Sequence, residues 1–465
     1  MIAGLAFIAC DRGSSAPAMV IMSAAAGQSG SNGGAVATAG STTAASAGTA
    51  SIGGSGGGAN PNGGGPNAGG GSVSGGAGTS EAGVAGVGGE NAGGSGAIPI
   101  TKTRSMKVYA HVMPWFETPE SNQGNWGIHW TMSTASPDVT DPAGRRQIAS
   151  HFYPLTGPYA SADPDIIEYQ LLLMKYAGID GVLIDWPGTI DQYDYAKNKQ
   201  NTEAMIEQLD DVGLSFAVVY EDQNVRIASE AGTITDRPAA AKADLSYAEQ
   251  QYFSQPNYIR IDGAPLLLVF GPQTFQTPAE WTDIFSVLDE QPAFLTLWNE
   301  AAEAGENGGG EYAWIFENNS HLDTFYQRQV TGVKMGAAYP GYHSYYAEGG
   351  WAGPTWTIAH NDAATFAETL DKALAAGVEQ LQLVTWNDYG EGTMIEPTEE
   401  LQFGPLTTLQ NKLGVNFGEA ELRLVLSLYE QRKAAAGDAA KQADLAQAAA
   451  ALAQFRVADA QALLQ

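Results

Sequence analysis

Residues 381–392 read LQLVTWNDYGEG, a short apolar run followed by a turn that carries two carboxylates. A continuous apolar run of this kind is typical of a parallel strand that is buried on both faces. Seven similar runs precede it, at residues 108–115, 181–186, 215–220, 265–270, 293–298, 312–316 and 332–338. Helix-like stretches lie between them, and those at 164–177, 202–212 and 363–376 are each followed by a glycine suited to end a helix.

Strands that alternate with helices in this way predict a (β/α)8 barrel of the TIM type over residues 101–412. A doubly wound parallel sheet is the competing fold. Neither the G-x-G-x-x-G motif nor the G-x-x-x-x-G-K-[ST] motif follows the first strand, so a nucleotide-binding sheet has no support.

The composition changes again near the C-terminus, where alanine, leucine, glutamine and lysine dominate. Residues 413–465 are predicted to form a helical extension of two helices, Glu419–Ala435 and Ala439–Leu464. We expect their alanine-rich faces to pack against each other and against the barrel. A coiled coil that binds a partner is the alternative, although the heptads are not sustained.

The first hundred residues differ from the rest of the chain. They hold 29 of the 57 glycines and one aromatic residue, Phe7. A segment with so little apolar side-chain area cannot offset the entropy lost on ordering, so residues 11–100 are predicted to be a disordered tether.

Residues 1–10 read MIAGLAFIAC and end at the single cysteine of the chain, Cys10. This apolar segment resembles the tail of a bacterial lipoprotein signal, in which Cys10 would be lipidated. An ordinary secretory signal is the alternative. Both predict export, either to the bacterial cell envelope as a periplasmic or outer-surface lipoprotein or to the extracellular medium.

Composition and charge exclude several classes of function. The net charge of −29, with no lysine or arginine cluster, argues against binding to nucleic acid or to anionic membranes, so a lipid anchor is the expected membrane contact. A single cysteine excludes a disulfide framework and a cysteine-based zinc site. The six histidines lack metal-binding spacings such as H-E-x-x-H, and no stretch after residue 100 is apolar enough to cross a membrane. We expect a monomer with no cofactor and no catalytic metal.

In a (β/α)8 barrel, functional side chains lie at the C-terminal ends of the strands. Those ends are rich in carboxylates and aromatic rings, and the substrate-binding candidates there and in the adjoining loops are Trp115, His129, Trp130, Tyr159, Asp185, Trp186, Glu221, Tyr342, His343, Trp386, Asn387 and Tyr389. Aromatic faces stack on sugar C–H surfaces, and carboxylates accept hydrogen bonds from hydroxyls. The set predicts a cleft for a neutral, polyhydroxylated ring, although a tryptophan taken singly is more often a core residue.

Asp388 and Glu391 are the candidate catalytic pair. Two carboxylates three residues apart on one turn could flank a single glycosidic oxygen. Glycoside hydrolysis requires such a pair, one protonated and one ionised, and crowding two like charges separates their pKa values.

The same segment resembles two glycoside hydrolase families. WNDYGEG at 386–392 is similar to the WNDYGES segment of family 71, the fungal α-1,3-glucanases. GTMIEP at 392–397 is similar to the NEWxEGTxIEP segment of family 99, the endo-acting α-mannosidases and α-mannanases. HFYPLTGPY at 151–159 and AGIDGV at 177–182 also resemble family 99, which aligns Trp186 with that family's active-site tryptophan and Glu221 with its carboxylate after the third strand.

The resemblance implies a (β/α)8 glycoside hydrolase with Glu391 as general acid and Asp388 as base. In the family 99 scheme the base deprotonates the sugar's own 2-hydroxyl, whereas in an inverting scheme it activates water. This chain has Asp388 where family 99 has glutamate. The leading hypothesis is an exported glycoside hydrolase that cleaves a neutral, α-linked poly- or oligosaccharide. The alternative is a non-catalytic, carbohydrate-binding surface lipoprotein on the same barrel.

Overall fold

The computed structural model describes residues 98–465. The segment at 1–10 with Cys10, and nearly all of the tether predicted at 11–100, lie outside the described residues. The described chain has nine strands: β1 (Lys107–Val112), β2 (Gly181–Trp186), β3 (Ser215–Tyr220), β4 (Arg260–Ile261), β5 (Ala264–Val269), β6 (Ala293–Leu297), β7 (Gly310–Tyr312), β8 (Val333–Ala338) and β9 (Gln380–Leu383).

Eight of these strands form a closed parallel barrel. The order runs β3-β2-β1-β9-β8-β7-β6-β5, and pairing of β3 with β5 closes the ring, with Val218 opposite Leu267. The short β4 instead pairs antiparallel with β5 in a hairpin. The predicted (β/α)8 barrel is confirmed. The doubly wound alternative is wrong, because an open sheet would leave two unpaired edges.

Thirteen α-helices lie in the described part of the chain, and most of them surround the barrel. They are α1 (Ile128–Thr131), α2 (Pro164–Ala177), α3 (Tyr195–Val212), α4 (Gln223–Glu230), α5 (Arg237–Ala248), α6 (Pro278–Phe285), α7 (Ala301–Ala304), α8 (Ser320–Gln327), α9 (Ala364–Ala376), α10 (Gly404–Leu413), α11 (Glu419–Ala434), α12 (Ala439–Ala453) and α13 (Val457–Leu464). None of the helices in this part is long and apolar enough to cross a membrane.

Local signals begin and end α2, and the glycine that ends it is the one that the sequence predicts. The Asp163 carboxylate accepts a hydrogen bond from the backbone N–H of Asp165 at 3.0 Å, and Pro164 occupies the first turn. Gly178 then ends the helix in the left-handed conformation, with φ of 89°. The same glycine signal ends α3 and α9, although α3 begins at Tyr195, before the predicted start at residue 202.

Three predicted strands are shorter than expected at their C-terminal ends. β1 ends at Val112, so Trp115 lies on the following loop, and β9 ends at Leu383, so Trp386 lies beyond the strand. β7 ends at Tyr312 but begins at Gly310, two residues before the predicted start. A Cβ at Gly310 would lie 2.1 Å from the Val333 carbonyl oxygen, so only glycine allows these strands to approach so closely.

The C-terminal extension forms three helices rather than two, because the second predicted helix is interrupted at Phe455, whose φ is 56°. It packs on the outside of the barrel. Arg432 of α11 makes two hydrogen bonds of 2.7 Å to Glu168 of α2, and Tyr429 packs against Tyr169. The structural interpretation of this extension is therefore supported over a free coiled coil.

Candidate active site

Asp388 and Glu391 lie on the loop that follows β9, at the C-terminal end of the barrel strands. The loop is held by short-range hydrogen bonds: the Asp388 N–H donates to Thr385 Oγ1 at 2.8 Å, and the Glu391 N–H donates to Asp388 Oδ1 at 2.9 Å. Both side chains are almost fully buried, with 4% and 1% of their surface exposed. The predicted pair is therefore brought together.

Burial and mutual repulsion separate the acid strengths of the two groups. Burial raises the pKa of Asp388 to about 6, while backbone N–H groups and the charge of His129 act in the opposite direction. Burial, reinforced by the nearby Asp388 charge, holds the pKa of Glu391 well above its ordinary range. Glu391 therefore holds a proton more tightly than Asp388 does, which suits Glu391 to the role of acid and Asp388 to that of base.

Two tyrosines from the loop after β8 surround Glu391. The Tyr346 hydroxyl donates to Glu391 Oε1 at 3.1 Å, and Glu391 Oε2 is buried without a hydrogen-bond partner among the described residues. The Tyr342 hydroxyl is likewise buried and lies close enough to Glu391 to lower its pKa. Backbone hydrogen bonds join the loop after β8 to the loop after β9. The His343 N–H donates to the Glu391 carbonyl at 3.0 Å, and the Tyr345 N–H donates to the Gly390 carbonyl at 2.8 Å.

A second carboxyl pair, Asp185 and Glu221, lies at the ends of β2 and β3. The two side chains share a hydrogen bond, and Gln223 Nε2 donates to Glu221 Oε2 at 2.7 Å. Burial, the charges of Glu221 and Asp388 and the shared hydrogen bond raise the pKa of Asp185 well above its usual range, while burial raises that of Glu221 to about 7. Asp185 thus holds the shared proton. It also lies close enough to Asp388 for the charge of Asp388 to raise its pKa.

Trp115 and His129 lie beside a small pocket near the ends of β2 and β3. Their rings are stacked, with centroids 4.2 Å apart and planes 8° from parallel, and His129 Nε2 lies 3.3 Å from Asp194 Oδ2. These residues line one pocket together with Asp185 and Glu221. The structure therefore brings together five predicted site residues from four segments of the chain. Trp115 and His129 lie in the connection after β1, and Asp185 and Glu221 lie at the ends of β2 and β3. Asp388, on the loop after β9, is included because the charge of His129 lowers its pKa.

Three other predicted substrate contacts belong to a buried network instead. Glu396 accepts hydrogen bonds at 2.8 Å from the hydroxyls of Tyr159 and Tyr389, and one of 2.7 Å from Gln170. Asn387 spans the same region: it donates to the Tyr159 hydroxyl at 3.2 Å and accepts from the Met113 N–H at 2.8 Å. The polar atoms of Tyr159, Asn387 and Tyr389 are thus used in fixing the loop that carries Asp388 and Glu391, and their contact with substrate stays a prediction.

Three predicted tryptophan contacts are also placed in the core, and none of them is exposed. Trp186 packs against Tyr220, Tyr247 and Tyr252. Trp130 packs against Phe116 and donates to the Tyr159 carbonyl at 2.7 Å, and Trp386 is likewise fully buried. The physical reason at β2 is alternation: Asp185 faces the cleft, so its neighbour Trp186 faces the helices outside the barrel.

His343 lies at the rim. Its ring is exposed and stacks on His151, with centroids 3.8 Å apart.

The described residues hold no group of three or more histidine, cysteine, aspartate or glutamate side chains placed to bind a metal ion.

Sequence reasoning missed Tyr346, Gln170 and Asp194. Tyr346 and Asp194 lie on loops with no motif of their own, and Gln170 is one polar residue on the buried face of α2. For Gln170 the available signal was a glutamine within a mostly apolar helix, because a buried amide requires a polar partner.

Comparisons with known proteins agree with this description. Residues 105–294 match the family model of Glycosyl hydrolase family 99. The match includes Asp185 and Glu221 and ends within β6, before Asp388 and Glu391. The predicted resemblance to family 99 is confirmed for this part of the chain.

Curated relatives match over a short region. The glycoprotein endo-alpha-1,2-mannosidase-like protein of Danio rerio is 31% identical over 91 residues, which are 17% of this chain and 20% of that protein. The protein of the same description from Mus musculus is 31% identical over 103 residues, or 19% of this chain and 22% of the relative. The chain thus spans about a fifth of the length of the curated relatives that it matches.

Among solved structures, the GH99 endo-alpha-mannosidase from Bacteroides thetaiotaomicron superimposes with a TM-score of 0.52. The two sequences are 20% identical, and the alignment covers 70% of this chain and 99% of the other. This likeness is one of fold.

Proposed function

We propose that this chain, which is glycoside hydrolase family 99-like over residues 105–294, is a glycoside hydrolase that acts on α-linked mannose glycans. The observation that carries the proposal is the buried Asp388–Glu391 pair at the C-terminal end of the barrel, in which Glu391 holds a proton more tightly than Asp388 and the roles of acid and base are divided between them. Neutral-pH hydrolysis of a glycosidic bond requires that division.

Each residue has a defined role in the proposed reaction. Glu391 gives its proton to the departing glycosidic oxygen as the bond to the anomeric carbon breaks. Asp388 takes a proton from the attacking oxygen, which is either the sugar's own 2-hydroxyl or a water molecule. The hydrogen bond from the Glu391 N–H to Asp388 Oδ1 supports the ionised form of Asp388.

The side chains beside the carboxyl pair are of the types that contact sugars. The stacked Trp115 and His129 rings offer an aromatic surface, while the carboxyl groups of Asp185 and Glu221 accept hydrogen bonds from hydroxyls. The choice of α-linked mannose rests on the family 99 likeness.

The test is release of reducing ends by the purified full-length chain from α-mannans, α-1,3-glucan and xylans. Wild type is compared with Asp388→Asn, Glu391→Gln and the control Glu379→Gln, an exposed residue at the opposite end of β9. We expect release from α-mannan that Asp388→Asn or Glu391→Gln abolishes and Glu379→Gln does not. Retained sugar binding without release from any polymer would favour the non-catalytic alternative, and release from α-1,3-glucan alone would change the substrate class.

We also propose that the chain is exported and lipidated at Cys10, on the strength of residues 1–10. The full chain and its Cys10→Ala variant can be produced in a bacterium supplied with labelled palmitate. We expect label and membrane association that the variant loses. A secreted, unlabelled wild type would instead indicate an ordinary secretory signal.

A further inference from the structure

Asp244 of α5 is a buried carboxylate that the proposed reaction does not use. None of its surface is exposed, and its hydrogen-bond partners among the described residues are neutral groups. Oδ1 accepts hydrogen bonds of 2.7 Å from the backbone N–H and from the hydroxyl of Thr189, and Oδ2 accepts one of 2.7 Å from the Tyr220 hydroxyl. A buried carboxylate is costly unless it is hydrogen-bonded, so three donors directed at this one indicate a specific arrangement.

The loop after β2 is shaped to admit this carboxylate. Gly188 has φ of 88°, and a Cβ there would lie 2.5 Å from Asp244 Oδ2, so both the backbone conformation and the space require glycine. Burial raises the pKa of Asp244 to about 6, while the hydrogen bonds from Thr189 and Tyr220 act in the opposite direction. Above that pH the carboxylate is ionised, and its hydrogen bonds are of the stronger, charge-assisted kind.

The three donors come from two neighbouring strand ends. Tyr220 is the last residue of β3, and Thr189 lies on the loop three residues beyond Trp186, the last residue of β2. The backbone pairing of these strands ends at the same place, where the Glu221 N–H donates to the Trp186 carbonyl at 3.1 Å. Asp244 therefore joins the two chains just beyond the point where their backbone hydrogen bonds stop.

Those strand ends carry the second carboxyl pair. Asp185 precedes Trp186, and Glu221 follows Tyr220. Side chains alternate along a strand, so Tyr220 faces α5 on the outside of the barrel while Glu221 faces the interior. The hydrogen bond between Asp185 and Glu221 requires that the two strand ends keep a fixed separation.

We propose that Asp244 is a positioning residue, which acts from outside the barrel to hold Asp185 and Glu221 in their hydrogen-bonded arrangement. The inference deepens the proposed function and rests on it, because that pair is the group assigned to the substrate hydroxyls. Asp244 itself touches no substrate. Its substitution should therefore alter substrate binding through Asp185 and Glu221, beyond any loss of stability.

The first readout is the ionisation of Asp185, followed by carbon-13 NMR of the full-length chain labelled at the aspartate carboxyl carbons. The Asp185→Asn variant assigns the signal. In the wild type, burial, the charges of Glu221 and Asp388 and the shared hydrogen bond keep the pKa of Asp185 well above the ordinary aspartate range. In Asp244→Asn, where an amide nitrogen replaces one acceptor oxygen, the pair should separate and Asp185 should titrate about one pH unit lower or more.

The second readout is the division between KM and kcat on α-mannan. Asp244→Asn should raise KM by about tenfold, with a smaller effect on kcat, because Asp388 and Glu391 are assigned the chemistry. The same substitution in a Glu221→Gln background should add little, since the pair is already broken there. General destabilisation would instead act equally in both backgrounds.

Other variants serve as controls. Glu168→Gln weakens the two hydrogen bonds that join α2 to Arg432 of α11, so it costs stability without touching these strand ends, and it should leave both readouts unchanged. Tyr220→Phe and Thr189→Val each remove a single hydroxyl from Asp244 and keep the packing. Both should shift the Asp185 titration in the same direction by a smaller amount, and they carry the test if Asp244→Asn does not fold.

An unchanged Asp185 titration in Asp244→Asn or, where that variant does not fold, in Tyr220→Phe would overturn the inference. Equal effects of Asp244→Asn on KM in the wild-type and Glu221→Gln backgrounds would also overturn it. If the wild type hydrolyses no polymer, the proposed function fails, and the NMR titration still decides whether Asp244 positions the pair. Turnover with an unchanged titration would leave the proposed function standing and remove this role of Asp244.

Discussion

The backbone N–H of Glu391 donates a hydrogen bond of 2.9 Å to Asp388 Oδ1, so one member of the carboxyl pair is held by the main chain of the other. This contact stabilises the ionised form of Asp388 against the burial that raises its pKa. The neighbouring charge of Asp388 in turn favours the protonated form of Glu391. The loop geometry therefore favours a proton on Glu391 over one on Asp388.

Glu391→Gln is expected to lower kcat on α-mannan by about 100-fold or more, because the amide cannot donate a proton to the leaving oxygen. A substrate with a dinitrophenyl leaving group, which needs no proton, should lose much less. Steady-state rates on both substrates check this, with Glu379→Gln as control. An equal loss on the two substrates would contradict the assignment of Glu391 as general acid.

Activity should fall as the pH decreases through about 6. Asp388 must be ionised to act as base, and its pKa is raised to about 6 in the folded chain, so the active form is present above that value and is lost below it. The check is kcat/KM on an α-mannan oligosaccharide between pH 4 and 9. An acidic limb near pH 4, the range of an ordinary aspartate, would be inconsistent with a buried base.

Tyr346→Phe should shift the alkaline limb of the same profile to higher pH. The hydrogen bond from the Tyr346 hydroxyl to Glu391 Oε1 lowers the pKa of Glu391, so its removal raises that pKa further and keeps the proton in place to higher pH. Tyr345→Phe, in the adjacent position, serves as control. A shift in the opposite direction would mean that Tyr346 does not act on Glu391 through this bond.

Glu396→Ala is expected to reduce the free energy of unfolding by about 3 kcal/mol or more, because three buried donors lose their acceptor at once. Those donors are the hydroxyls of Tyr159 and Tyr389 and the amide of Gln170. Urea unfolding measures the effect. Glu399→Ala, which removes a half-exposed ion pair with Arg145, should change stability by less than about 1 kcal/mol. Similar losses in the two variants would mean that the Glu396 network contributes little.

The positions of the strands and of α2 could be predicted from local pattern. An apolar run such as VLI at 182–184 is stabilised by burial on both faces of a sheet, which indicates an interior strand. Gly178 can adopt the left-handed conformation that ends a helix, which indicates the end of α2. The sequence also placed Asp388 and Glu391 together at a strand end, because they are only three residues apart on one turn.

The roles of the aromatic and amide residues could not be predicted in the same way. Tyr389 lies between Asp388 and Glu391 in the sequence, yet its hydroxyl is bound to Glu396 rather than free in the cleft. For Trp186, the alternation of side chains along β2 already indicated a position facing away from the site, since Asp185 and Trp186 must face opposite sides of the strand.

The sequence by itself determined the alternation of strands and helices, the ends of three helices and the identity of the carboxyl pair, because each depends on residues that are close in the chain. Only the tertiary structure decided which side chains meet across the barrel. Closure of the eight-stranded barrel and backbone contacts such as His343 N–H to the Glu391 carbonyl set the approach of the loops and strands that carry three pairs: Asp185 with Glu221, Trp115 with His129, and Tyr346 with Glu391. Burial at those contacts, absent from any local pattern, then separates the pKa values on which the proposed chemistry depends.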